Sequence, residues 1–246
     1  MGKFDTEDIK TTLGTNEMTD YKTVGRQLFA EFIGTFLFLS IVSFTGTSFG
    51  TNNMAVAFAT GLLFASLIQV IGPVSGGHMN PAVTIGALVC GHIKILKAIL
   101  YIIAQVLGSI LGTLVAYALC DENTRGNLGA TIPLDTLRDK QVFGMEFLMT
   151  FLVVTVYLSV SDKNRSVGGL GSAPLAVGLS VTACLAAALN YTGSLNPVRS
   201  LGPAVVMNIW VSHWVFWVGP LLGGLFAGFV YKFILTLKDR NVLIQD

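Results

Sequence analysis

Charge is scarce in this chain. Only 12% of its 246 residues are Asp, Glu, Lys or Arg, about half the share of an ordinary soluble domain. From Phe32 to Ile93 there are none at all, and a second such gap runs from Ser166 to Val198. A basic surplus is also missing: 15 Lys and Arg against 14 Asp and Glu leave a net charge of +1, which excludes the electrostatic footprint of a nucleic-acid binder. The three cysteines, Cys90, Cys120 and Cys184, have no metal-ligand spacing and stand in or beside apolar runs. They read as inert thiols, so no metal and no cofactor is expected. Residues 1–24 are polar and mixed in sign, with no apolar core before a cleavage site. That makes them a cytosolic tail and not a signal peptide; residues 238–246 read as a second tail.

What the chain does have is apolar length. Hydrophobic residues make up 52% of it and its mean hydropathy is +0.69, which points to lipid as its solvent. A helix needs about 20 residues to cross a bilayer. On that measure the crossings fall at about 27–48, 53–71, 95–119, 142–160, 173–191 and 213–236. Two apolar fragments are left over, each too short to cross. Cytoplasmic loops retain Lys and Arg. Eleven of the fifteen (Lys3, Lys10, Lys22, Arg26, Lys94, Lys97, Lys163, Arg165, Lys232, Lys238, Arg240) fall on one side, with four (Arg125, Arg138, Lys140, Arg199) on the other. Six crossings therefore place both termini in the cytosol. Trp210, Trp214 and Trp217 suit an interfacial belt or ordinary packing.

The sequence is also written twice. "GGHMNPAV" from Gly76 resembles "TGSLNPVR" from Thr192; "AEFIGTFL" from Ala30 resembles "MEFLMTFL" from Met145; "QVLGSIL" from Gln105 resembles "PLLGGLF" from Pro220. The offset is 115 or 116 residues throughout. Each copy holds three crossings, and an odd number inserts the second copy upside down. The result is an inverted repeat, over about 25–120 and 140–237. The channel domain so defined covers 25–237.

Asn is a preferred N-cap, and Pro suits the first helical position because its missing N–H is no loss there. Each fragment therefore reads as loop, cap and short helix, about 81–89 after Asn80 and Pro81, and 197–208 after Asn196 and Pro197. Ten residues reach only half way through a membrane. Inversion brings the two half-helices together, N-terminus to N-terminus, near the midplane. Gly76, Gly77 and Gly193 are expected to turn the lead-in loops tightly and expose their carbonyls to a cavity. Irregular backbone at that depth is tolerated only in protein or beside water, so a pore follows. Two Asn-Pro turns joining eight ordinary helices would leave the repeat unexplained. The fold class expected is all-α transmembrane, with six membrane-spanning helices and two re-entrant half-helices.

In these motifs the chain resembles the aquaporin, or major intrinsic protein, family. "SGGHMNPAVT" is close to that family's first signature and "NPVRS" to its second, with Val198 where Ala82 stands in the first copy. Glu31, Glu146, "YIIAQVLGS" and "WVFWVGPLLGG" also match, and the resemblance covers about 24–237. It implies a six-helix bundle and a homotetramer with one pore per subunit. It also implies that Asn80 and Asn196 offer amide donors to a passing oxygen, while the facing helix dipoles exclude cations and protons. Arg199 becomes a positive filter in the wet outer mouth, which accounts for a guanidinium between apolar stretches of 33 and 32 residues. Glu31 and Glu146 would brace the loops that carry the half-helices. His78 would line the cytosolic vestibule or pack as a neutral core residue.

In water-selective members a Phe and a His complete the constriction around the arginine. Counting back from Asn80 puts Thr60 at the Phe position. Counting back from "YTG" puts Leu185 at the His position, and counting from Asn196 gives Cys184. A loop position that is Cys in some relatives matches Ser194, so mercury block there is not expected. Replacing two rings with Thr60 and Leu185 widens the constriction and leaves one apolar wall opposite Arg199. That arrangement suits glycerol, and urea is of similar size. Ser200, Ala204 and Phe216-Trp217 follow the water channels instead. The combination is similar to the entomoglyceroporins, polyol channels with a water-type backbone. The expected function is passive passage of water and small uncharged solutes through the lipid bilayer of the plasma membrane. The alternatives are a strictly water-selective channel or a poorly conducting junctional protein. An enzyme is not expected, because the apolar segments hold no nucleophile motif and no carboxylates except Glu31 and Glu146.

Overall fold

The computed structural model describes residues 6–49, 53–162, 172–189 and 193–237. The end of the expected fifth crossing, Lys163, Arg165 and the C-terminal tail lie outside them. Nine α-helices are described: α1 (Thr6–Leu13), α2 (Tyr21–Phe49), α3 (Asn53–Ser75), α4 (Pro81–Cys90), α5 (Ile95–Leu119), α6 (Asp139–Ser161), α7 (Ala173–Ala187), α8 (Pro197–Met207) and α9 (Val215–Val230), which runs on into a π turn over Tyr231–Leu235. Part of the expected N-terminal tail is thus helical. Five of these, α2, α3, α5, α6 and α9 with its π turn, are long and apolar enough to cross a membrane. The 15 residues of α7 span about 22 Å at 1.5 Å per residue, short of the roughly 30 Å of a hydrocarbon core.

The doubled sequence becomes a doubled packing. In the first half α2 packs along α5, and in the second α6 packs along α9. The repeat-related pair α3 and α7 crosses between the halves. Small residues permit that crossing: a Cβ on Gly178 would stand 2.6 Å from the Ala65 Cβ, so the helices meet backbone to backbone. The two short helices are exchanged, with α4 against α9 and α8 against α5. On Gly202 of α8 a Cβ would meet the Ser109 Oγ at 2.6 Å. Each half therefore completes its core with an element from the other.

Both short helices end where their caps stop them. Gly91 closes α4 in the left-handed region (φ 81°), with its N–H on the carbonyls of Ala87 and Leu88. Asn208 closes α8 in the same region (φ 55°), where Asn is tolerated.

Candidate functional site

The centre of the molecule is where α4 and α8 begin. Asn80 is the extended N-cap of α4, and its Oδ1 accepts from the Ala82 N–H at 2.8 Å. Asn196 does the same for α8, accepting from the Val198 N–H at 3.1 Å. The amide nitrogens reach across. Asn80 Nδ2 donates to the Leu195 carbonyl at 2.9 Å, and Asn196 Nδ2 donates to the Met79 carbonyl at 2.9 Å. The two helix N-termini are therefore tied face to face by reciprocal bonds. Each amide has two N–H groups, so one on each Asn is left for a further acceptor. Facing N-termini also concentrate positive potential at this point.

Two buried carboxylates hold the loops. Glu31 accepts from the backbone N–H groups of His78 (2.9 Å) and Met79 (2.7 Å), from Ser75 Oγ (2.7 Å) and from Gln105 Nε2 (2.9 Å). Glu146 accepts from the backbone N–H groups of Ser194 and Leu195, both at 2.8 Å. Both glutamates are fully buried, so these bonds also solvate their charge.

The turns themselves differ from the sequence expectation. Gly76 (φ 97°) and Gly77 (φ 67°) adopt the left-handed region, but Gly193 does not; there the role passes to Leu195 (φ 57°), matched by Met79 (φ 48°) in the first half. Such a conformation costs a non-glycine residue about 1–2 kcal/mol. The carboxylate bonds to the N–H groups of Met79 and Leu195 hold it in place. The Gly76 carbonyl is taken by the Tyr157 hydroxyl at 2.8 Å instead of standing open.

In both halves a side-chain bridge spans each Asn, from two residues before it to four after. In the first, His78 Nδ1 and Thr84 Oγ1 are 3.0 Å apart, and Thr84 donates to the Asn80 carbonyl. A hydroxyl has one proton, so His78 Nδ1–H is the donor in that contact. In the second, Ser200 Oγ donates to Ser194 Oγ (2.7 Å), and Ser194 donates to the Asn196 carbonyl (2.9 Å). Val198, fully buried, has its carbonyl on the Ser109 hydroxyl.

Three cavities follow one another along the helices. The outer, about 320 Å³, is lined by Asn127, Thr60, Leu185, Gly193 and Arg199 among others. A narrow one of about 20 Å³ comes next, where Thr60, Leu185, Gly193 and Arg199 recur and Asn80, Ser194 and Asn196 join them. The third, about 870 Å³, is lined by Gly76, His78 and Tyr157. One helical turn separates the narrow lining from the third: Phe64 then Ile68 on α3, Val153 then Tyr157 on α6, Val181 then Val177 on α7. Leu185, and not Cys184, lines the narrow passage; the Cys184 thiol is 3.6 Å from the Met149 carbonyl, away from it. Thr60 Oγ1 is buried without a hydrogen-bond partner among the described residues.

Arg199 is the third residue of α8, where a cation opposes the helix dipole. Its Nη1 donates to the Gly129 carbonyl on the loop between α5 and α6, and no ion pair involves it among the described residues. That loop contact was missed in the sequence. Its only signal there is a run of loop glycines, Gly126 and Gly129. Among the described residues no group of three His, Cys, Asp or Glu could hold a metal.

Comparisons with known proteins show the family. Residues 17–231 match the family described as "Major intrinsic protein". Human Aquaporin-1 is 41% identical over 90% of this chain and 86% of its own length. Aquaporin-5 of Sus scrofa is 40% identical over 89% and 86%. The lens fiber major intrinsic protein of Lithobates pipiens is 39% identical over 88% and 84%. The X-ray structure of the aquaglyceroporin from Plasmodium falciparum superposes with a TM-score of 0.77 over 91% of this chain and all of that one, at 24% identity, a likeness of fold. The chain belongs to the major intrinsic protein family, the aquaporins, and is an integral membrane channel for water or small solutes, not an enzyme.

Proposed function

We propose that this channel passes water and small polyols such as glycerol, with urea in the same size class, and excludes ions and protons. The observation that carries the solute choice is the wall of the narrow passage: Thr60, Leu185 and Arg199 line both it and the outer cavity, so Thr and Leu stand at the two positions where water-selective members carry rings. Arg199 and the unpartnered Thr60 hydroxyl offer hydrogen bonds to a solute's polar side, and Leu185 offers an apolar surface to its carbon side. That combination makes it an opened filter on a water-type backbone, as in entomoglyceroporin-type members.

In this reading α2, α3, α5, α6, α7 and α9 cross the bilayer. The half-helices α4 and α8 dip in from opposite faces. Asn80 and Asn196 present their spare N–H groups to the solute, and Arg199 and the paired helix N-termini repel cations. His78, Gly76 and Gly77 line the cytosolic vestibule, and Gly193 and Ser194 line the filter. Both termini are cytosolic by the Lys and Arg asymmetry. The membrane is the plasma membrane, and the assembly a homotetramer.

A strictly water-selective channel is the second reading. The relatives near 40% identity named above favour it. So does the narrow cavity of about 20 Å³, room for about one water. Stopped-flow light scattering on proteoliposomes separates the two. Re-swelling in a glycerol gradient, faster than in a mannitol gradient and faster than in protein-free vesicles, is the expected result. Fast water flux with no glycerol uptake leaves the water-selective reading.

A further inference from the structure

Three hydroxyls stand in file between the outer loop and the second cap. Thr131 Oγ1 lies 2.7 Å from Ser200 Oγ; Ser200 lies 2.7 Å from Ser194; Ser194 lies 2.9 Å from the Asn196 carbonyl. Each hydroxyl has a single proton. Ser194 uses its own on Asn196 and Ser200 uses its own on Ser194, so Thr131 must donate to Ser200. The file runs one way, from the loop inward, and ends on a carbonyl that also accepts the Arg199 backbone N–H at 3.0 Å. Ser194 and Ser200 are buried, and polarised chains of this kind strengthen each link.

Thr131 is two residues from Gly129, whose carbonyl holds the Arg199 guanidinium. The loop therefore grips the first turn of α8 twice, once at the Arg199 side chain and once at its neighbour Ser200. The matching bridge in the first half draws its third partner from a helix instead: Gln105 Nε2 of α5 donates to Thr84 Oγ1 at 3.1 Å. Among the described residues, the bridge on the Arg199 side takes its third partner from a loop, and the first half takes its own from a helix.

We propose that Thr131 is a positioning residue for selectivity: through Ser200 and Ser194 it sets where Arg199 stands, and so the width of the narrow passage. Thr131 lines the outer cavity but need not touch a solute in the passage. The inference rests on the reading of Arg199 as the filter, and the experiment keeps the two apart.

The experiment compares water and glycerol permeability in proteoliposomes for wild type, Thr131→Val, Thr131→Ser, Ser200→Ala and the double variant Thr131→Val with Ser200→Ala. Thr131→Val keeps shape and removes the proton that starts the file. It is expected to raise the glycerol-to-water ratio by about fivefold, the weight of one neutral hydrogen bond. Thr131→Ser restores the wild-type ratio. The double variant goes no further than Ser200→Ala, because the two substitutions break one file. A merely structural role would lower both permeabilities together and leave their ratio alone, which would overturn the proposal, as would additive effects in the double variant. If Thr131→Val does not insert, Ser200→Ala alone carries the ratio test. Wild-type glycerol flux tests the filter reading separately. Should wild type exclude glycerol, its admission by Thr131→Val supports the file and its continued exclusion overturns it.

Discussion

The two halves of the channel solve one problem with different materials. Each must hold a half-helix cap in place with irregular backbone around it. Each uses a buried glutamate on two successive loop N–H groups, a left-handed residue before the Asn, and a bridge over the cap. Beyond that they part. The first half fastens its bridge to helices: Gln105 reaches both Glu31 and Thr84, and His78 packs edge-on between Tyr101 and Tyr157, with ring centroids 5.3 and 5.5 Å away. The second half fastens its bridge to a loop, through Thr131, and its arginine to that loop's Gly129. Helix anchoring ties one bridge to the packed bundle. Loop anchoring exposes the other to change, because loops accept substitution more readily than the elements they join.

The largest expected effect comes from breaking what the halves share. Glu31→Ala leaves the His78 and Met79 N–H groups buried without acceptors, at about 1–3 kcal/mol each, and releases Gln105 and Ser75 as well. Loss of folded channel is the expected outcome, read as yield and thermal unfolding in detergent. Near-wild-type stability would contradict the bracing role. Asn80→Ala and Asn196→Ala come next. Each removes a cap of about 1 kcal/mol and one bond to the opposite loop, so the two should shift the melting temperature alike. Water flux should fall in both. A large difference between them would mean that the reciprocal ties are unequal. Smaller still, and confined to one half, is the change in solute ratio expected from Thr131→Val.

Local chemistry made part of this legible in advance. Asn followed by Pro announces a helix start whatever surrounds it, so both caps could be placed from single dipeptides. The repeat offset was equally readable, because three motifs shared it. Other features depend on approach in space. Met79 and Leu195 look like ordinary apolar residues, and nothing in their side chains reports a left-handed backbone held by glutamates 48 and 49 positions away. Gly129 and Thr131 lie in a loop without periodicity, so no pattern links them to α8. Counting alone left Leu185 and Cys184 as rivals. Consecutive helix residues point about 100° apart, and only packing decides which one faces the passage.

The central claim is that two missing rings open the filter beside Arg199. The measurement that tests it most directly restores them: Thr60→Phe with Leu185→His, reconstituted and compared with wild type for water and glycerol flux. Loss of glycerol re-swelling with water flux retained is the expected result. Glycerol permeability unchanged by both rings, in protein that still conducts water, would contradict the account and move the solute-selecting point elsewhere in the pore.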